Sequence, residues 1–95
     1  MTAAEVDKTL RHRIVVAGVP DRLVDGLALY IVEGIRPGHF LTAVLENDLT
    51  EAISRGDDDS RAGLVALVTF LYNYAPASCW GSPARVEGWE GLVQR

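Results

Sequence analysis

The sequence predicts an all-α fold, a compact bundle of four to five short helices. Three observations carry this. Apolar residues recur at three- and four-residue steps through most of the chain. Gly and Pro stand at points that divide those runs into four or five segments. Helix-capping residues precede several of the runs. The 95 residues fit a single domain, residues 1–95, with 1–17 as an N-terminal helix or an oligomerisation arm.

Each segment has its own grounds. Thr2 followed by Glu5 matches a capping box, and Val6, Leu10 and Ile14 are spaced for a helical stripe. Ile14-Val15-Val16 is a β-branched run that favours a strand, so the assignment is a helix ending near Val16, with Gly18 as its stop. The second helix begins at Pro20, presents Leu23, Leu27, Tyr30 and Ile31 on one face, and stops at Gly34. Arg36-Pro37-Gly38 makes a tight turn. Gly38 to Arg55 then reads as one long helix, with Leu41, Val44, Leu45, Leu49, Ala52 and Ile53 along its apolar side. Asp57-Asp58-Asp59-Ser60 caps the next helix, Arg61 to about Tyr74. That helix is apolar nearly all round, which marks it as the buried centre of a bundle or part of a subunit interface. Pro76 forbids its continuation. After a loop, Ser82 caps a last helix with Pro83 at its first position and a stripe of Val86, Trp89 and Val93.

Composition narrows the function classes. The formal net charge is −4, and the basic stripe of a nucleic-acid binder is missing, so nucleic acid is not an expected partner. The one basic cluster, Lys8, Arg11, His12 and Arg13, reads as a solvated helix face. No segment is apolar enough for long enough to span a membrane, and the N-terminal residues lack the basic start of a signal peptide. A cytoplasmic protein is expected. Cys79 is the only cysteine, which excludes an internal disulfide, and no clustered metal ligands appear, so no cofactor or metal is expected. Hydrophobic residues make up 48% of this short chain with no such staple. A homodimer or higher oligomer follows as an expectation, with Leu10, Ile14 and Val16 at its interface.

No catalytic motif is present, so candidate site residues are read from local context. Asp48 continues the apolar stripe of the 38–55 helix, where an acid is desolvated unless paired. It is either a ligand-contacting acid or a structural one bonded to a helix end, to Tyr30 or to Tyr72. Asn47 beside it faces a ligand if that helix lines a cleft. Arg36 and His39 flank a helix start, where free N–H groups, the helix dipole and a guanidinium fork favour anions. Tyr72, Asn73, Trp80 and Ser82 bring aromatic and polar groups near a second helix start, suited to stacking a planar ligand. The alternative is that Trp80 and Trp89 close the core. Cys79 reads as a small apolar filler.

Three stretches point further. They are Gly34-Ile35-Arg36-Pro37-Gly38-His39-Phe40-Leu41, Ala43-Val44-Leu45-Glu46-Asn47-Asp48-Leu49, and Phe70-Leu71-Tyr72-Asn73-Tyr74-Ala75-Pro76 with Trp80-Gly81-Ser82-Pro83. Over residues 18–92 the chain resembles a widespread group of small uncharacterised proteins encoded by bacteriophages and prophages. The resemblance implies an accessory protein in a bacterial cytoplasm, of a kind that disables a host factor or sequesters a nucleotide signal of host defence. It assigns no catalytic residue. The expected function is non-enzymatic capture of a small anionic, nucleotide-like ligand by Arg36, His39, Asn47, Asp48, Tyr72, Asn73, Trp80 and Ser82 in one cleft. The competing readings are an inhibitor of a host protein, a structural oligomer, and a small hydrolase using Asp48 or His39.

Overall fold

In the computed structural model, which describes residues 2–93, all regular secondary structure is helical. Helix α1 spans Ala3–Val16, α2 Asp21–Glu33, α3 His39–Leu45, α4 Leu49–Arg55, α5 Asp58–Ala62 and α6 Leu64–Tyr74. A short 3-10 turn, Ala77–Cys79, leads to α7, Pro83–Gly88. The bundle expected from sequence is therefore present, cut into more and shorter helices.

The chain ends of the first two helices follow the local chemistry read from sequence. Thr2 accepts the Glu5 N–H at 3.2 Å and caps α1. Gly18, at φ +90°, stops it, and the N–H groups of Gly18 and Val19 close on the carbonyls of Val15 and Ile14. Ile14 is fully buried and Leu10 nearly so, both in the chain's own core. They are thus unavailable for the subunit interface expected of them, whereas Val15 and Val16 are exposed. Pro20 sits one residue before α2 as its cap rather than as its first helical residue.

Helix α2 is the centre of the molecule. Leu23, Val24, Leu27, Ala28, Tyr30, Ile31 and Val32 are all buried. The chain returns to its C-terminal end from far along the sequence. Trp89 Nε1 donates to the Tyr30 carbonyl at 3.0 Å, and the N–H groups of Leu92 and Val93 donate to the carbonyls of Ile31 and Val32 at 2.9 and 3.0 Å. These bonds satisfy acceptors that the end of a helix leaves open. Gly34 (φ +74°) and Gly91 (φ +102°) permit the approach, since a Cβ on Gly34 would lie 2.7 Å from the Glu90 backbone and one on Gly91 2.6 Å from the Val32 carbonyl.

Two expectations are corrected. The run from Gly38 to Arg55 is two helices, not one. Asn47 adopts φ +63°, and the N–H groups of Asn47 and Asp48 close α3 on the carbonyls of Val44 and Ala43. Asp48 then caps α4 by accepting the Glu51 N–H at 3.1 Å. Its carboxylate is an exposed helix cap and not a desolvated acid on an apolar stripe. The second correction concerns the apolar helix, which breaks at Gly63 and is not the most buried. Gly63 packs so closely on Pro20 that a Cβ there would meet the ring at 2.5 Å. In α6 only Leu67, Phe70 and Leu71 are buried, while Val65 and Tyr72 are 78% and 79% exposed. An apolar composition on every face gave no information about which face the neighbours cover.

Asp57 caps α5 through the Ser60 N–H at 2.8 Å, as the acidic run suggested, and it pairs with Arg22 of α2. Ser82 caps α7 through the Arg85 N–H at 3.2 Å with Pro83 at the first helical position. That helix ends at Gly88, so Trp89 and Val93 pack on the core from the chain beyond it. The buried apolar side chains form one continuous cluster. No helix among the described residues is long and apolar enough to cross a membrane.

Candidate functional site

Helix α6 divides the candidate residues because adjacent positions on a helix point about 100° apart. Tyr72 turns to one flank and Asn73 to the other. On the Tyr72 side, Asn47, Tyr72, Trp80 and Arg85 line a hollow of about 420 Å³ floored by Val68, Ala75 and Gly81. Gly81 is held there by its N–H bond to the Leu45 carbonyl at 2.7 Å, which seats the 77–81 turn against the end of α3. Ser82 adjoins it as the α7 cap. Asn47 and Asp48 also share a much smaller hollow with Leu49 and Val68. The Arg85 guanidinium donates to the carbonyls of Ala77 and Trp80 at 3.1 and 3.3 Å. Those bonds commit it to holding the turn.

On the Asn73 side lies a larger groove of about 550 Å³ between α1 and α6. Thr9, His12, Arg13 and Val16 contribute one wall, and Thr69, Phe70, Asn73 and Tyr74 the other. The Arg13 guanidinium lies 5.2 Å from the Tyr74 ring centroid, in cation–π range. Phe70 packs against that ring in a tilted arrangement, 5.9 Å between centroids. Among the described residues no carboxylate pairs with Arg13 or His12. Arg11, two residues away, faces the other side and pairs with Asp7 and Asp25. Asn73 donates from Nδ2 to the Thr69 carbonyl at 2.9 Å, which fixes the amide and leaves its oxygen as an acceptor.

Arg36 and His39 belong to neither hollow. Both are exposed, and His39 opens α3 at the end opposite Asn47. The seven residues of α3 separate those ends by about 10 Å. The eight residues expected in one cleft thus occupy four places: the 36–39 turn, the Asn47–Tyr72–Trp80 hollow with Ser82 beside it, the small hollow that Asp48 shares with Asn47, and Asn73 in the α1–α6 groove. Sequence reasoning missed Thr9, His12, Arg13, Tyr74 and Arg85. A signal for the first three existed, since Thr9, His12, Arg13 and Val16 follow the i, i+3, i+4, i+7 rhythm of a single helix face.

Two buried groups nearby are structural. Tyr30 donates its hydroxyl to the Cys79 carbonyl at 2.6 Å, and burial pushes its phenol up to about 12. Burial likewise pushes the Cys79 thiol up to about 11, which leaves it protonated and unreactive at neutral pH. Among the described residues no three His, Cys, Asp or Glu side chains converge as a metal site would require.

No protein-family model matches the chain, and no curated protein or solved structure matches it.

Proposed function

We propose that this chain is a non-enzymatic binding protein that captures a small planar anion, of nucleotide type, in the groove between α1 and α6. The observation that carries the reading is Arg13, stacked on Tyr74 and without a carboxylate partner among the described residues, inside a groove of ligand size. A guanidinium in that setting offers a fork of donors to a phosphate. His12 sits one residue before it on the same wall. The Asn73 amide oxygen accepts from a base N–H, and Thr9 and Thr69 add hydroxyls on opposite walls. The resemblance to phage-encoded accessory proteins supports the same class of function, sequestration of a nucleotide signal in a bacterial cytoplasm.

The test is incubation with a panel of nucleotides, desalting, and mass analysis of what stays bound. Retention of an intact nucleotide is the expected result. Recovery of an altered nucleotide would establish turnover instead, and retention of nothing would end the ligand reading. Calorimetry then locates the site. Arg13→Ala should weaken binding by about 1.5–3 kcal/mol, the range for a hydrogen bond to a charged group. Arg36→Ala and His39→Ala should leave it unchanged.

A second reading, docking of a protein, has its own observation in the exposed apolar face of α6.

A further inference from the structure

Among the residues that line the α1–α6 groove, Arg13 is the only guanidinium or ammonium group. The opposite wall adds none, since α6 carries no charged side chain from Leu64 to Tyr74. The neighbouring cations of α1 are placed elsewhere. Arg11 is paired with Asp7 and Asp25, and Lys8 stands about 140° round the helix from Arg13, outside the groove. Both ends of the groove lead to carboxylates. At the Thr9 end, exposed Glu5 continues the four-residue steps from Arg13 and Thr9, about 12 Å along α1 from Arg13. At the Val16 end the chain leads through Gly18 into a second hollow of about 510 Å³, where Asp21, Arg22 and Asp59 are the charged lining residues. Arg22 pairs with Asp57 and donates to Ser60, so Asp21 and Asp59 set the charge there. Among the described residues Glu5, Asp21 and Asp59 make no ion pair.

We propose that the groove selects nucleotides carrying a single phosphate group and discriminates against di- and triphosphates. The inference rests on nucleotide capture in this groove and names the class of nucleotide. One phosphate meets the Arg13 fork in a charge-assisted contact, and the groove has no second such cation for the further phosphates of a polyphosphate. A phosphate chain has two ways to run from Arg13. Towards Thr9 it approaches Glu5, and towards Val16 it approaches Asp21 and Asp59. In either direction the added charge gains no cation and meets charge of its own sign, on a chain whose formal net charge is −4. Across about 10 Å, one Debye length at 0.1 M salt, each repulsion is weak. The discrimination is therefore modest, about threefold to tenfold, and grows as salt is lowered.

Calorimetry without divalent cations, at low and at moderate salt, tests it with the mono-, di- and triphosphates of adenosine and of guanosine. In a series that binds, the monophosphate should bind about threefold to tenfold more tightly than the triphosphate, with the diphosphate between them, and the ratio should widen at low salt. A chain carrying Glu5→Gln, Asp21→Asn and Asp59→Asn together should bring the ratio close to one. Each of these replacements removes a charge and keeps the side chain's shape, so the circular dichroism spectrum should not change. A triphosphate that binds as tightly as its monophosphate would overturn the inference and leave nucleotide capture standing. A ratio that persists in the triple variant would overturn it as well, because the carboxylates would not be its cause. Binding of none of the six nucleotides would also overturn it, and retention from the wider nucleotide panel then decides capture separately.

Discussion

Tyr30 is wholly enclosed, and its hydroxyl donates to a carbonyl in the 3-10 turn, 49 residues further along the chain. The bond ties the 77–81 turn, and with it one wall of the Trp80 hollow, to the central helix. Tyr30→Phe leaves the Cys79 carbonyl buried without its donor and should cost about 1–3 kcal/mol of stability in denaturant unfolding. The same pair makes stability depend on alkaline pH. Burial raises both acids in the folded state, Cys79 to about 11 and Tyr30 to about 12. The unfolded chain therefore loses these protons first, and stability falls with rising pH. The contribution is whole below the unfolded values. It declines from about pH 9 as Cys79 titrates in the unfolded chain, and further from about pH 10 for Tyr30, until the folded values are passed. In Cys79→Ala the onset should move up to the Tyr30 window. An onset unchanged by that substitution would show that other groups govern the alkaline limb.

The break between α3 and α4 shows how helix ends compete with helix faces. Asn47 takes the left-handed conformation that ends a helix, and Asp48 immediately caps the next one. Both signals are in the sequence. Asn-Asp is a stop and start, and Glu51 three residues after Asp48 completes the spacing of a capping box. Apolar periodicity hides them, because Leu45 and Leu49 keep a four-residue step across a bend as well as along a straight helix. The ends marked by Gly18, Gly34, Asp57, Ser82 and Pro83 were legible because no such stripe runs through them. The prediction for this element is specific. Asp48→Ala should cost about 1 kcal/mol of stability, Asp48→Ser should recover most of it, and neither should change nucleotide binding. Asn47→Gly should be tolerated, whereas Asn47→Val forces a branched side chain into the left-handed region and should be destabilising by about 1–2 kcal/mol. Thermal unfolding of the four variants separates a cap from a ligand contact, because only a ligand contact would alter affinity at unchanged fold.

At the scale of the whole molecule, the distribution of burial follows from which helices find neighbours on all sides. Helix α2 is covered by α1 along its length, by α3, and at its end by the returning chain of residues 89–93. Nothing local to residues 21–33 announces this, and the C-terminal closure joins positions about 60 residues apart, beyond the reach of any periodicity. The α1–α6 groove is hidden for the same reason, since the rhythm of Thr9, His12, Arg13 and Val16 marks one wall but not the wall that faces it. Its two walls lie more than 50 residues apart, and each alone reads as an ordinary amphipathic or apolar helix. Local opening should follow the same distribution. Helices α4 and α5 have seven and five residues, and each buries one residue, Ala52 and Ser60. Opening either exposes little apolar surface, so the free energy required is well below that of global unfolding. In α2 the turns from Leu27 onward cannot open without exposing Leu27, Tyr30 or Ile31, and opening the last of them breaks the bonds to Trp89, Leu92 and Val93. Native-state hydrogen exchange should therefore find the slowest amides at Leu27 to Ile31, exchanging only by global unfolding. Amides of α4 should exchange faster by roughly 100-fold or more, equivalent to about 2.7 kcal/mol. Equal protection in α2 and α4 would mean that the two unfold as one unit and that burial within the helix does not set the cost of opening. Slowest exchange in α6 instead would show that burial within the chain does not order the openings, because Val65 and Tyr72 of α6 are 78% and 79% exposed.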